Sequence, residues 1–169
     1  LPSFVDASHM CELLDPKKDI DGITLASLAS VFTDGHAGYP PATAAACIQL
    51  HDHYQVPLQG KHVVVVGRSL VVGKPVSMML LRRNASVTIC HSKTENLADI
   101  MRSADVVICA TGRARTFGAQ FFGPGQTVLD VGINCDTQGN LCGDVDFAEV
   151  EPVVAAITPV PGGIGTVTT

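Results

Sequence analysis

From residue 62 to residue 160 the chain alternates between unbroken apolar runs and amphipathic stretches. "HVVVVG", "ASVTIC", "DVVICAT", "TVLDVGI" and "AAITPV" are five short runs rich in β-branched or small apolar residues. Strands covered on both faces look like this, because neither face meets water. Between them lie two stretches with helical spacing, "KPVSMMLLRRN" and "TENLADIMRSA". "AQFFGPG" follows as a turn or short helix, and "VDFAEVEPVV" as another short helix. Pro75 falls in the first turn of its helix, where a missing N–H costs nothing. Strands alternating with helical links predict a parallel sheet with right-handed crossovers, a Rossmann-like doubly wound α/β domain.

Upstream the pattern loosens. "HMCELLDPKKDIDG" holds a helix-like patch and then a charged turn, "TLASLASVF" predicts a short helix, and "TDGHAGYPP" is loop chemistry. From Pro41, "ATAAACIQLHDHYQ" predicts a longer helix that Pro57 and Gly60 stop.

Composition narrows the function classes. The chain has 169 residues, 46% hydrophobic and 16% charged, which excludes a disordered segment. A net charge of -5 without a basic stripe argues against a nucleic-acid partner. No apolar run approaches the roughly 20 residues that cross a bilayer, and the first residues lack a basic signal-peptide start. Arg82-Arg83 reads as a solvated helix end. No Cys-x-x-Cys and no zinc-finger histidine spacing occur, so no metal is expected. Cys90 and Cys109 read as core thiols. Cys135 and Cys142 flank a turn, and a cytosolic compartment would keep them reduced.

In such sheets ligands sit at the carboxyl ends of the strands. The first strand end has glycines at 67 and 73, with Ser69 and Val72 where the usual dinucleotide fingerprint has glycine. Gly67 permits a sharp turn, Gly73 lets the helix start near the sheet, and the helix N-terminus about Lys74-Pro75 offers amides to an anion. Ser69 adds a hydroxyl donor. An ordinary strand-to-helix turn is the plain alternative. After the second strand, "CHSKT" carries no acid for a ribose hydroxyl. Lys93, Ser92 and Arg68 would lie near a 2′-phosphate, which favours NADP over NAD. Ser92 and Glu95 also make S-x-x-E, a capping box. The loop "PVPGGIGT" permits close backbone approach to a planar ligand, or is a rigid turn. His51 and His53 lie on different helix faces. His91 reads as a polar contact rather than a general base. Asp19 and Asp21 read as solvated or turn-forming carboxylates.

"VVVVGRSLVVGKPVSMMLLRRNASVTICHSKT", "DVGIN", "GDVDF", "ITPVPGGIG" and "LDPKKDIDG" together resemble the methylenetetrahydrofolate dehydrogenase/methenyltetrahydrofolate cyclohydrolase family. The resemblance is colinear from Leu1 to Thr169. It implies a cytoplasmic, homodimeric two-domain enzyme. Such an enzyme oxidises 5,10-methylenetetrahydrofolate with NADP and hydrolyses the methenyl product to 10-formyltetrahydrofolate. Residues 1–40 would then be a remnant of the folate-binding catalytic domain, and 41–169 the NADP-binding domain. The family's cofactor contacts fall on Gly67, Arg68, Ser69, Ser92 and Ile133. Its folate-side P-G-G falls on Pro161, Gly162 and Gly163, and its pterin-side catalytic Asp on Asp21.

Departures accompany the matches. The family's Tyr-x-x-x-Lys motif, whose Lys is the central acid/base, does not occur in this sequence. Its Q-L-P-L-P segment survives only as Leu1-Pro2. Its P-C-T-P-x-G keeps only Pro41 and Thr43, its Pro-Met has become Thr166-Val167, and the Asn after D-G reads Ser27. The expectation is a chain truncated at both ends that binds NADP with little turnover of its own. A nucleotide-binding module or pseudo-enzyme of the same family is the alternative. An unrelated NADP dehydrogenase would have to share every one of these colinear motifs by chance.

Overall fold

The computed structural model describes Cys11, residues 13–35 and residues 37–168. Leu1-Pro2 and most of the expected first helical patch lie outside the described residues.

All five predicted strands form one parallel sheet. They are β1 (His62–Val66), β2 (Ser86–Cys90), β3 (Val106–Cys109), β4 (Thr127–Asp130) and, after a hairpin, β7 (Ala156–Ile157). Their order is β2-β1-β3-β4-β7. The helices are α1 (Leu25–Thr33), α2 (Ala42–His53), α3 (Gly73–Arg82), α4 (Leu97–Arg102) and α5 (Phe147–Val150). Single 3-10 turns occur at Pro16–Lys18, Ala119–Phe121 and Ile164–Thr166. The "CDTQGNLC" turn is a hairpin of β5 (Asn134–Cys135) and β6 (Leu141–Cys142). Register pairs Asn134 with Cys142 and Cys135 with Leu141, and both cysteines are free thiols.

The valine run of β1 explains the layers. Successive side chains of a strand point to opposite faces. Val63 and Val65 pack with Ala44, Cys47, Ile48, Val76 and Leu80 from α2 and α3. Val64 and Val66 pack with Cys90, Met101, Phe117, Phe122 and Val150 on the other face. All four valines are buried. Each contributes roughly 1.5–3 kcal/mol by leaving water.

Arg82 and Arg83 form an exposed helix end, as expected, and both are also paired. Arg82 donates to Asp34 and to the carbonyls of Ser30 and Val31, tying α3 to α1. Arg83 holds both carboxylate oxygens of Asp52 on α2. The two side chains diverge because adjacent helix positions point about 100° apart.

The strand order reverses around β1: β2 lies on one side, β3 and β4 on the other. The carboxyl ends of β1 and β3 are therefore the switch point, where doubly wound sheets bind ligands.

Candidate functional site at the strand ends

At the switch point the backbone of β1 passes against that of β3. Gly67 has φ +135°, and a Cβ there would stand 2.2 Å from the Ala110 carbonyl oxygen. A Cβ on Gly73 would stand 2.1 Å from the Gly67 carbonyl oxygen. Only glycine fits at either position, so the turn and the start of α3 are pressed onto the sheet.

The anion donors differ from the expected set. The first amides of α3 are already used. Val72 and Gly73 N–H donate to Ser69 Oγ at 3.1 and 3.4 Å, Lys74 N–H donates to the Ser69 carbonyl, and Pro75 has none. The Ser69 hydroxyl caps the helix as an acceptor, which a bare fingerprint reading does not reveal. Among the described residues, the amides of Arg68, Ser69, Leu70 and Val71 meet no protein acceptor. Together with the hydroxyl proton of Ser69 and the exposed Arg68, they are donors of the kind that take phosphate. The chain thus fits a dinucleotide through the loop itself rather than through the helix end.

Ser92 lies at the neighbouring strand end, where Gly67 N–H donates to the Cys90 carbonyl at 2.9 Å. The expected capping box does not form. The helix begins at Leu97 behind Asn96 in the left-handed conformation, two residues beyond Glu95. Ser92 and Lys93 are exposed beside the loop. Thr94 Oγ1 accepts from His91 N–H, and His91 Nδ1 accepts from Lys93 N–H. His91 is thus a polar contact, as read from the sequence.

Ile133, Pro161, Gly162 and Gly163 come together around a cavity of about 220 Å³. Ile133 is 68% exposed, unusual for an isoleucine at the end of a buried strand. The Val160-Pro161 peptide is cis. Gly162 has φ +98°, and a Cβ on Gly163 would meet the Pro159 carbonyl oxygen at 2.3 Å.

Asp21 lines neither this cavity nor the larger cleft beside α2. It is exposed in a turn whose Gly22 packs on Tyr39 and Pro41. Its neighbour Asp19 is not solvated. Asp19 is buried and accepts from the Ser27 hydroxyl at 2.6 Å and the amides of Ile23 and Thr24. Burial would push its carboxyl up, but these donors outweigh it and hold it down at about 2.

Two further carboxylates sit inside the site. Asp130 ends β4 and accepts from the amides of Gly132, Asp144 and Val145, each at 2.9 Å. Asp144 accepts from Thr111 N–H and Oγ1–H, the amides of Gly112 and Arg113, and Asn134 Nδ2. Burial, with the Asp144 charge as a lesser contribution, pushes Asp130 up to about 6 against its three amide donors. "DVG" and "GDV", an acid flanked by glycine at a strand end, was the available signal. No cluster able to hold a metal ion occurs among the described residues.

Residues 41–169 match the family model for the tetrahydrofolate dehydrogenase/cyclohydrolase, NAD(P)-binding domain. The chain belongs to this family. The tetrahydrofolate dehydrogenase/cyclohydrolase relatives include the bifunctional protein FolD of Carboxydothermus hydrogenoformans. It is 50% identical, and the match covers all of this chain and 60% of that protein. The crystal structure of the bifunctional FolD enzyme from Campylobacter jejuni is 36% identical with a TM-score of 0.95, covering 99% of this chain and 60% of that one. The Trypanosoma brucei FolD structure, complexed with NADP cofactor and inhibitor, is 34% identical with a TM-score of 0.91 and the same coverage. The chain therefore spans about 60% of the length of the relatives it matches. No described helix is long and apolar enough to cross a membrane.

Proposed function

We propose that this chain is the NADP-holding part of a cytoplasmic, homodimeric methylenetetrahydrofolate dehydrogenase/methenyltetrahydrofolate cyclohydrolase. Its substrates are tetrahydrofolate derivatives. The carrying observation is the loop after β1: backbone amides with no acceptor among the described residues, Ser69 and Arg68, beside a second strand end that bears Ser92 and Lys93 and no acid.

The bound nicotinamide supplies the hydride acceptor. The residues of this chain bind and orient it. Gly67 and Gly73 let the backbone close on the phosphates, and the loop amides donate to them. Arg68 and Lys93 neutralise a 2′-phosphate, and the Ser92 hydroxyl donates to it. Ile133 offers an apolar face, and Pro161, Gly162 and Gly163 form the folate-side wall. Asp21 acts on the pterin side. Residues 1–40 belong to the folate-side domain and 41–169 to the cofactor domain. The chain by itself binds NADP and turns over little, because the family's Tyr-x-x-x-Lys is not in it.

Cofactor fluorescence tests the reading, since the chain has no Trp to interfere. NADPH should bind at least about tenfold tighter than NADH, the worth of one charge-assisted contact. Equal affinities would remove the roles given to Arg68, Ser92 and Lys93.

A further inference from the structure

The loops that flank the switch point do not touch the sheet alone; they hang on one carboxylate. Asp144 is fully buried and takes five donors. Four come from the loop after β3, Thr111 to Arg113. The fifth is Asn134, the residue after Ile133. Asp144 in turn is carried by Asp130, whose carboxylate takes the Asp144 and Val145 amides and the Gly132 amide. The slots are made by glycine. A Cβ on Gly143 would stand 1.8 Å from Asp130 Oδ2, and one on Gly132 would stand 2.3 Å from Asp144 Oδ1. The hub spans β3, β4 and the β5–β6 hairpin.

Buried charges are retained where fixing a geometry is worth their desolvation. Here the fixed geometry is the far side of the switch point. Thr111–Arg113 follow β3, whose end touches Gly67, and Asn134 sets the backbone beside the exposed Ile133. We propose that Asp144 is a positioning residue for the dinucleotide. Its carboxylate locks the Thr111–Arg113 loop and the Ile133–Asn134 step at the separation that the cofactor spans. This rests on the NADP reading above.

The two oxygens of Asp144 have separate duties, which makes the test specific. Oδ2 accepts from Thr111 N–H, Thr111 Oγ1–H and Gly112 N–H; Oδ1 accepts from Arg113 N–H and Asn134 Nδ2. Asp144→Asn turns Oδ1 into a donor facing two donors. The double variant Asp144→Asn/Asn134→Asp turns the Asn134 contact around and restores it, keeping all bonds to Oδ2 and leaving only Arg113 N–H without its acceptor.

The measurement is the NADPH dissociation constant, with far-UV circular dichroism and the ligand-free melting midpoint recorded alongside. Asp144→Asn should weaken NADPH about tenfold or more, and the double variant should recover part of that loss, as expected of one of two lost contacts restored. A purely structural role would lower the melting midpoint without moving the affinity of the folded protein. Wild-type affinity in folded Asp144→Asn would overturn the proposal. So would a double variant no better than the single. Should Asp144→Asn not fold, Asn134→Ala and Thr111→Val each cut one link and leave the carboxylate. A weakening of about threefold or more in either supports the proposal, and unchanged affinity in both overturns it. A wild-type chain that binds no NADPH removes the underlying reading instead, a result separate from any variant comparison.

Discussion

The Asp144 amide donates to Asp130 Oδ1 at 2.9 Å, so one buried acid is carried on the carboxylate of another. Asp130 is raised from 3.8 to about 6. It therefore binds its proton more tightly folded than unfolded. Between those values the native state holds more protons, and stability falls as pH rises. Above pH 6 the penalty is about 3 kcal/mol.

His51 works in the opposite direction. It is buried in α2 with neither ring nitrogen bonded. Burial pulls it from 6.5 down to about 4, against the opposing charge of Asp52. The unfolded chain takes the proton first on acidification, so stability is lost as pH falls from 6.5 to 4, by about 3 kcal/mol. The two slopes nearly cancel. Wild-type stability in urea should be almost flat from pH 6.5 to 4.5, while His51→Leu should grow more stable on acidification over the same range. His51→Leu should also match or exceed the wild type at pH 7, because it removes unpaired polar atoms from the core. A pH slope in His51→Leu equal to that of the wild type would break this account.

Asp19 and Asp21 should separate cleanly although two residues apart. Asp19 is lowered from 3.8 to about 2, so its contribution of about 2 kcal/mol is complete above pH 4 and is lost as pH falls through 2. Asp19→Ala should lower stability at pH 7 by at least that amount, because it orphans the Ser27 hydroxyl and two amides. Asp21→Asn should leave both the melting midpoint and NADPH affinity unchanged. In the full-length enzyme its effect should fall on turnover.

How much of this was legible in the sequence depended on the range of the interaction. The valine run of β1 and the helical spacing around it announced the sheet, since period and β-branching are local properties. The strand ends followed from topology, since the parallel pairing of β1 with β2 sets the loop at Gly67 next to the chain that follows Cys90. What escaped was set by partners far along the chain. Asp19 read as solvated or turn-forming; it does take the amides of Ile23 and Thr24 in its turn, but its burial depends on Ser27, which belongs to the next helix. Ser92 and Glu95 fit a capping box by spacing, but the backbone turns at Asn96 and starts the helix later. Asp130 and Asp144 lie in two separate motifs, and nothing local to either shows that they pair. Their donors sit up to 33 residues away and are assembled only by the parallel crossover.

The glycines of the first loop offer a graded test of how tightly the switch point is built. Gly67→Ala places a Cβ 2.2 Å from a backbone oxygen at φ +135°, and Gly73→Ala places one 2.1 Å from another. Neither obstacle is a flexible side-chain end, so the strand ends must part. Each variant should lose about 2 kcal/mol or more. Gly60 supplies the control. It also has positive φ, +74°, but a Cβ there meets nothing within 4 Å. Gly60→Ala should therefore lose only the backbone strain, about 1 kcal/mol, and keep wild-type NADPH affinity. Denaturant midpoints combined with NADPH titration would read both effects. Gly67→Ala or Gly73→Ala behaving like Gly60→Ala in either measurement would mean that the loop yields, and that the close approach of β1 to β3 is not what holds the phosphates.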